Sequence, residues 1–431
     1  NQISSLVSTS GKSLPALTQL NLSGNLFSTI PDNFYSPAEC SAVNLLDLSF
    51  NQIAGTNITS QLSFPVYQFN LQSNGITALP PNYFGNDTNS AFCLGVLNLS
   101  ENFLQSIDGL GVSSLVNLQN FNIEHNILAY LPDLTASTKL QALYLLDNQL
   151  GENDGLNIDY LPSSLTYLDI SSNGFRALPA ASGTRTNLYN LLVLNVGQNT
   201  IPSFENSFIT DAPNVTNFAA AYNRLTGFEK FISQAFPKLV NINLDSNRIT
   251  KIDSEDLNYQ SLYTLSAKKN QIAEIDRTAF DHVPSLAQIN LNNNNLTTPL
   301  ARWFENLSSS LTTLEWTLNP WSCDCKSLGF AGLVFNSNVP EQLQRTLKNT
   351  VLCQSPAAFQ DTFIDELEGI YAIVDENDCP LPTVIPTDIP IPTRPTEKPE
   401  PSEPTDAPTS SYSINISVIT FLIGLITSML F

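Results

Sequence analysis

The chain has 431 residues, 42% hydrophobic and 13% charged, so it is long enough for several domains and is not disordered throughout. Its formal net charge of −21 argues against nucleic acid and anionic membrane surfaces as partners, because both would repel it at long range. An even number of cysteines, six, and eight N-x-S/T triplets indicate an oxidising, secretory route. The triplets begin at Asn21, Asn57, Asn86, Asn98, Asn214, Asn295, Asn306 and Asn415.

An eleven-residue motif, L-x-x-L-x-L-x-x-N-x-L, recurs thirteen times, from LTQLNLSGNLF at 17 to LTTLEWTLNPW at 311. Its asparagines are spaced 22 to 28 residues apart, which chance cannot produce in register, so an internal repeat governs the fold. The asparagines are Asn25, Asn51, Asn74, Asn102, Asn126, Asn148, Asn173, Asn199, Asn223, Asn247, Asn270, Asn294 and Asn319.

Each repeat has a direct physical interpretation. The x-L-x-L alternation predicts a short strand with one buried face, and the following Asn turns the chain while its amide satisfies backbone groups of neighbouring coils. One coil cannot bury its own leucines, so coils must stack into a curved solenoid with a parallel sheet on the concave side. A Phe eight to ten residues past the Asn predicts a second row of core side chains under the convex loops. Examples are Phe34, Phe84, Phe208, Phe280 and Phe304.

This pattern resembles the leucine-rich-repeat family over residues 1–322, and NQIAEIDRTAFDHVPSLAQINLNNN at 270 is similar to its extracellular "typical" class of about 24 residues. The resemblance implies an α/β repeat fold, a horseshoe-shaped solenoid with a concave parallel β-sheet and a mostly irregular or short-helical convex side. It implies thirteen full repeats after a partial first one. For function it is weak, because the family includes receptors, adhesion proteins, inhibitors and matrix proteins.

Four cysteines, Cys323, Cys325, Cys353 and Cys379, follow the last repeat and begin in the stretch NPWSCDC. Residues 323–379 resemble the C-terminal cysteine-rich cap of extracellular leucine-rich-repeat proteins, which implies bridges Cys323–Cys353 and Cys325–Cys379. A cap is physically required, because the last coil would otherwise leave its core open to water. The alternative is a zinc site, but a C-x-C start and gaps of 27 and 25 intervening residues do not fit the usual C-x-x-C pairs.

A third bridge, between Cys40 and Cys93, is less secure. The two cysteines lie two coils apart, where strands are about 10 Å from each other, beyond the ~7 Å Cα limit of a disulfide. The bridge therefore requires the connecting loops to bend towards each other.

The C-terminal part of the chain has a different composition. Residues 380–410 are rich in proline and threonine and predict an extended stalk that cannot pack a core. Residues 411–431 are hydrophobic and predict attachment to a membrane. They fit either a signal for a glycosylphosphatidylinositol anchor, attached near Ser411, or a transmembrane segment whose continuation is missing from this chain.

The sequence contains no recognisable set of catalytic residues. There are only two histidines, His125 and His282, and neither has a nucleophile or a metal ligand at a suitable spacing. No H-E-x-x-H, G-x-S-x-G, phosphate-binding glycine loop or kinase motif is present. We therefore expect a non-enzymatic protein without a metal or a cofactor.

The repeat motif places a mostly Asn and Asp stripe along the concave face, which a merely solvated sheet would explain. Aromatic residues there are harder to dismiss, because they are the residue type that anchors binding partners. The predicted ligand-binding residues are Glu124, Tyr144, Leu146, Asp147, Tyr167 and Asp169 at the middle of the arc, with Tyr222 and Tyr263 in a second patch beside Lys268 and Lys269. Sugars on Asn21 and Asn98 would direct binding away from the first four coils.

These observations predict a cell-surface recognition, adhesion or receptor ectodomain that binds a protein or glycan ligand through its concave face. Two alternatives remain: the extracellular part of a truncated signalling receptor, such as a receptor kinase, and a secreted inhibitor or decoy. The opening stretch NQISSL has the repeat spacing of Ile249 and Ile252 after Asn247 and is interpreted as the second half of a further coil, so we expect the chain to be a fragment.

Overall fold

The structure is a computed structural model that describes residues 2–367, apart from 7–16, 32–43, 56–57, 59–61, 63–64, 85–92, 113–114, 152–154, 181–187, 206, 229, 308, 325–326 and 336–339. The predicted stalk at 380–410 and tail at 411–431, including Ser411, lie outside the described residues. Within the described ranges, no helix has both the length and the apolar composition needed to cross a membrane.

The described residues form one thirteen-stranded parallel sheet, in which each three-residue strand pairs with the strands of the repeats before and after it. Equivalent motif positions face each other, as in the pairing of Leu46 with Phe69 and of Tyr144 with Asp169. Two further short strands, Lys251–Ile252 (β11) and Glu274–Ile275 (β13), pair with each other in a second parallel sheet. In chain order the strands are β1 Gln19–Asn21, β2 Leu45–Asp47, β3 Gln68–Asn70, β4 Val96–Asn98, β5 Asn120–Asn122, β6 Ala142–Tyr144, β7 Tyr167–Asp169, β8 Val193–Asn195, β9 Asn217–Ala219, β10 Asn241–Asn243, β11 Lys251–Ile252, β12 Thr264–Ser266, β13 Glu274–Ile275, β14 Gln288–Asn290 and β15 Thr313–Glu315.

Short helices connect the strands where the described chain is not irregular. The α-helices are α1 Lys230–Ala235, α2 Leu328–Phe335 and α3 Glu341–Leu347. Segments of 3-10 helix are Ile158–Tyr160, Phe208–Asp211, Ala301–Leu307, Ala357–Phe359 and Ile364–Glu366. This architecture confirms the expected solenoid with its parallel sheet and short-helical connections.

The core lies between the sheet and the connections. The motif leucines face inward and are almost completely buried, and the Phe row predicted under the connections is also buried at Phe84, Phe208, Phe280 and Phe304. Phe34 lies outside the described residues. Each coil therefore contributes two rows of apolar side chains, and stacking removes both rows from water.

The repeated asparagines form a hydrogen-bonded ladder inside the turns. The Nδ2 of Asn199 donates to the carbonyls of Val196 and, one coil earlier, Ile170, at 2.9 and 3.2 Å. Its Oδ1 accepts from the backbone N–H of Phe175 at 3.0 Å. The ladder offsets the cost of the turn, because the residue before every one of the thirteen asparagines has a positive φ of 52–66°.

The start of the described chain follows the same ladder. The backbone N–H of Ile3 donates to Asn25 Oδ1 at 3.2 Å, just as Phe27 donates to Asn51 Oδ1 at 3.0 Å. Ile3 thus has the hydrogen-bond position of a residue that follows a repeat asparagine.

The cap begins with a disulfide between Cys323 and Cys353, as the resemblance implied. Beside it the indole of Trp316 packs edge-on against Trp321, with ring centroids 4.7 Å apart, and covers the end of the core. The second predicted bridge cannot be assessed, because Cys325 and Cys379 lie outside the described residues. Cys93 is disulfide-bonded and buried, and its predicted partner Cys40 also lies outside them.

Candidate functional site

The outward residue at the end of each sheet strand has a structural role in most repeats. In nine of the thirteen repeats this residue is Asn or Asp, and its side-chain oxygen accepts the backbone N–H two residues further on, at 2.9–3.1 Å. This local bond supports the turn that leads to the repeat asparagine. The Asn stripe is therefore explained by the turn, without a ligand.

Tyr144 stands at this position in β6 and cannot make that bond. Its ring packs on the ring of Tyr167 in β7, with centroids 4.7 Å apart and planes inclined by 38°. Both rings are partly buried, and burial raises the pKa of each phenol. The two tyrosines thus form a continuous aromatic surface over two adjacent strands, which we call the tyrosine pair.

Asp169, at the end of β7, is not the surface carboxylate that its sequence position predicts. It is 5% exposed, and it accepts hydrogen bonds from the backbone and hydroxyl of Ser171, from Tyr167 and, at 2.8 Å, from Asn195 Nδ2. Burial nevertheless raises the pKa of Asp169, against the lowering effect of these donors. Asp169 therefore lies within the hydrogen-bond network of the sheet instead of projecting from its surface.

Glu124 follows β5 and extends the negative charge beyond Tyr144. Its Oε2 accepts from Asn122 Nδ2 at 3.1 Å, and burial, followed by the charge of Asp169, raises the pKa of Glu124. The charges of Glu124 and Asp169 also raise the pKa of Tyr144. Asn122 and Asn195 donate hydrogen bonds to these two carboxylates. Neither is among the ligand-binding residues predicted from the sequence, although both lie in the outward-facing stripe of Asn and Asp residues.

Asp147 and Leu146 lie at the turn after β6. Asp147 is exposed and its Oδ2 lies 2.9 Å from His125 Nδ1 on the preceding coil, while Leu146 is half-buried. The structure therefore brings six predicted residues into one region of adjacent coils. The tyrosine pair lies at the centre of this region. The carboxylates of Glu124 and Asp169 lie beside the pair, and the contact between Asp147 and His125 lies at the edge of the region.

The second predicted patch is not one surface. Tyr263 immediately precedes β12, whereas Tyr222 follows β9 by three residues and lies at the opposite end of the strands, in the column of Lys269. Both tyrosines are well exposed, at 45% and 55% respectively. Lys268 is partly engaged by Asp245, at an Nζ–Oδ2 distance of 3.5 Å.

Comparisons with known proteins agree with this architecture. The family model "Leucine rich repeat" matches residues 260–315, and the model "Leucine Rich Repeat" matches residues 16–36. The chain is a leucine-rich-repeat protein.

Among curated relatives, mouse podocan is 29% identical over 227 residues, which are 51% of this chain and 35% of podocan. Human leucine-rich repeats and immunoglobulin-like domains protein 1 is 30% identical over 155 residues, or 35% of this chain and 13% of that protein. Fission yeast adenylate cyclase is 27% identical over 218 residues, 43% of this chain and 13% of the cyclase. The chain thus matches about a third or less of each relative.

Solved structures share the fold at low sequence identity. A Drosophila Toll–Spatzle complex contains a chain with a TM-score of 0.60 and 22% identity, over 81% of this chain and 54% of that one. A complex of Latrophilin 3, Unc5D and FLRT2 contains a chain with a TM-score of 0.58 and 20% identity, over 79% of this chain and 91% of that one.

The predicted glycosylation sites of this leucine-rich-repeat protein differ in accessibility. Asn21, Asn295 and Asn306 are exposed, although Asn306 Nδ2 donates to Asp281 Oδ1 at 2.9 Å. Asn98 and Asn214 are partly buried and hydrogen-bonded through Nδ2 to other coils. Asn57 and Asn86 lie outside the described residues. Because the sugar is attached to Nδ2, the exposed asparagines offer the more accessible acceptors.

Proposed function

We propose that this protein is a non-enzymatic recognition module of the cell surface, which binds a protein ligand through its sheet face with the tyrosine pair at the centre of the contact. The observation that carries the proposal is the packing of Tyr144 on Tyr167 at the middle of the sheet. Rigid, partly buried aromatic rings lose little entropy on binding and are typical anchors of protein interfaces.

The position of Tyr144 supports a role other than folding. Asn or Asp at the same place supports the turn in nine other repeats. The other four strands of the sheet end in Tyr144, Ala219, Ser266 and Glu315, and of these only Tyr144 places an aromatic ring at this position. The preceding strand β5 ends in Asn122 and the next, β7, ends in Asp169, and both make the usual bond. The strand that ends in Tyr144 therefore lies between two strands whose last residue makes the usual hydrogen bond.

The surrounding charge indicates what the ligand presents. Burial raises the pKa values of Glu124 and Asp169, so each carboxylate would gain from a nearby positive charge. The faces of Tyr144 and Tyr167 also attract cations. We therefore expect the ligand to place an Arg or Lys side chain over the tyrosine pair.

The solved relatives support binding of a protein ligand. The Toll structure is a complex with Spatzle, and the FLRT2 structure is a complex with Latrophilin 3 and Unc5D. Their identities of 20–22% relate them to this chain by fold, so the ligand itself must be identified by experiment.

The proposal is tested by screening the full chain against an array of secreted and cell-surface proteins and titrating the ligand that binds. The Tyr144→Ala/Tyr167→Ala variant should bind about tenfold more weakly or worse, because anchor residues typically contribute 2 kcal/mol or more. Tyr160→Ala is the matched control, since this tyrosine is 40% exposed in the connection between β6 and β7. Equal affinity of the double variant and the wild type would refute the proposed contact.

We also propose that residues 411–431 tether the protein to the membrane. A lipid anchor near Ser411 predicts that a phosphatidylinositol-specific phospholipase releases the protein from cells. Retention after this treatment would instead support a transmembrane segment, and secretion without treatment would contradict both forms of the tether.

A further inference from the structure

A polar groove of about 610 Å³ runs along the edge of the sheet where strands β6 to β10 begin. Eleven residues line it: two lysines, eight neutral residues with amide or hydroxyl side chains, and Leu192. None of them carries a carboxylate, although the whole chain has 39 acidic residues against 18 basic ones. The groove is thus a locally positive strip on an acidic protein.

The ammonium groups of the two lysines contact neutral side chains. Lys139 Nζ donates to Asn117 Oδ1 at 2.6 Å, and Lys238 Nζ donates to Asn214 Oδ1 at 2.6 Å. Neither is among the lysines that form ion pairs in the described part of the chain. A neutral amide fixes the position of each ammonium group without compensating its charge, so both remain available for an anion.

The repeat sets the spacing between the lysines. Lys139 directly precedes the first motif leucine of the β6 repeat, and Lys238 directly precedes that of the β10 repeat, four strands away. At 4.7–4.9 Å per strand the lysines stand about 19 Å apart. Between them Ser164, Asn190 and Asn214 occupy the same column. Each donates to a backbone carbonyl of the preceding coil at 2.7–2.8 Å, so their side-chain oxygens are what this column offers to the hydroxyls of a ligand.

The backbone along the groove is already paired, which argues against an added peptide strand. The N–H groups of Thr166, Leu192 and Thr216 each donate to the carbonyl of the preceding coil at 2.8–2.9 Å. Leu192 is the one lining residue with an apolar side chain. The lining instead places amide and hydroxyl groups between two cationic side chains. A linear ligand with many hydroxyls and regularly spaced anionic groups would match this arrangement.

We propose that this groove binds a linear acidic oligosaccharide, with its anionic groups at Lys139 and Lys238 and its hydroxyls on the amides and hydroxyls between them. This site is separate from the tyrosine pair, so it stands independently of the proposed function. It occupies the edge where strands begin and leaves the sheet face free for a protein ligand.

Asn214 links the groove to glycosylation, because it begins an N-x-T triplet and its Nδ2 donates to the carbonyl of Tyr189 at 2.7 Å. A sugar on this nitrogen would itself fill the groove. The site therefore requires Asn214 to be unmodified. Mass spectrometry of the peptide that contains Asn214 decides this point, and complete glycosylation there would overturn the proposal.

The direct test titrates the purified full chain with size-defined heparin oligosaccharides, with non-sulfated uronate oligosaccharides of equal length, and with neutral malto-oligosaccharides. Affinity should rise with length until the chain spans about 19 Å and then level off. It should fall with added salt, as expected for contacts with exposed lysines. The two acidic series distinguish sulfate from carboxylate as the preferred anion, and binding of either supports the site.

The variants locate the binding. Lys139→Ala/Lys238→Ala should weaken binding about tenfold or more, because two charge-assisted hydrogen bonds are lost. Lys139→Arg/Lys238→Arg should restore most of it. Lys348→Ala removes one exposed charge from the cap and should change affinity less than about twofold. Equal binding of the alanine double variant, equal binding of neutral sugars, or preferential binding of poly-glutamate would each overturn the proposal.

Discussion

The inward and outward faces of the sheet follow different rules. On the inward face of the thirteen-stranded sheet, the central residue of every strand after β1 is at most 8% exposed, whatever its identity, because adjacent coils enclose it. On the outward face the last residue of the strand ranges from exposed, at Asn21, to 5% exposed, at Asp169. The repeat thus determines how deeply inward-facing residues are buried. The burial of outward-facing residues depends on the side chains of the neighbouring coils. Side chains that face outward can therefore vary between repeats without disrupting the stack.

The largest expected effect compares a buried with an exposed phenylalanine. Phe218 is 2% exposed and packs between Phe204 and Phe236, at ring-centroid distances of 5.4 and 5.0 Å. Phe218→Ala should lower the free energy of unfolding by about 3–5 kcal/mol. Phe103 is 57% exposed, so Phe103→Ala should lower it by less than about 0.5 kcal/mol. Urea denaturation measures both, and similar losses would contradict the division between the faces.

The second comparison concerns two asparagines with different positions. Asn199→Ala removes the partners of the backbone N–H of Phe175 and of the Ile170 carbonyl, both in a buried turn. It should cost about 2–4 kcal/mol of unfolding free energy, since unsatisfied buried groups are expensive. Asn241 lies on the outward face with one long bond of 3.3 Å to Asn217, so Asn241→Ala should cost less than about 0.5 kcal/mol. A loss below 1 kcal/mol for Asn199→Ala would contradict the ladder's role.

The features dictated by the repeat were predictable from the sequence. The strand register, the inward leucines and the asparagine ladder all follow from one coil repeated. The separation of Tyr222 from Tyr263 follows from their different positions in the motif, so the prediction of one patch was wrong although the register was available. The burial of Asp169 was not predictable, because it depends on side chains in neighbouring coils. Tyr67 gives a further example: its ring lies over Gly95 on the next coil, where a Cβ would come within 2.2 Å of it. Such a pair of residues is visible only once the coils are stacked.

A third prediction sharpens the comparison on the outward face itself. If the tyrosine pair is a preformed surface, Tyr144 and Tyr167 should be energetically coupled in the absence of any ligand. A double-mutant cycle with Tyr144→Ala, Tyr167→Ala and both should give a coupling of about 0.5–1.5 kcal/mol in unfolding free energy. The same cycle on Tyr222 and Tyr263, which lie at opposite ends of the strands, should give none within error. A coupling of zero for the first pair would mean that the rings adopt this packing only when a ligand is present.

The smallest expected effect is the contribution of Glu124 to the pH dependence of stability. Burial raises the pKa of Glu124 above its value in the unfolded chain, so the folded state binds more protons once the pH exceeds about 4.5. The contribution of Glu124 to stability is therefore most favourable below the unfolded pKa and declines as the pH rises through the folded pKa. Glu124→Gln removes this titration and keeps an oxygen for Asn122 Nδ2.

The variant should thus gain stability relative to the wild type as the pH rises from 4 to 7, as measured by urea denaturation at each pH. The difference between the two profiles reports the titration of Glu124 together with its interaction with Asp169, whose charge also raises the pKa of Glu124. A difference that is constant with pH would show that Glu124 is effectively solvated. A ligand that places a cation beside Glu124 should lower the pKa of this carboxyl, so its affinity for the wild type should rise over the same pH range, and Glu124→Gln should flatten that rise.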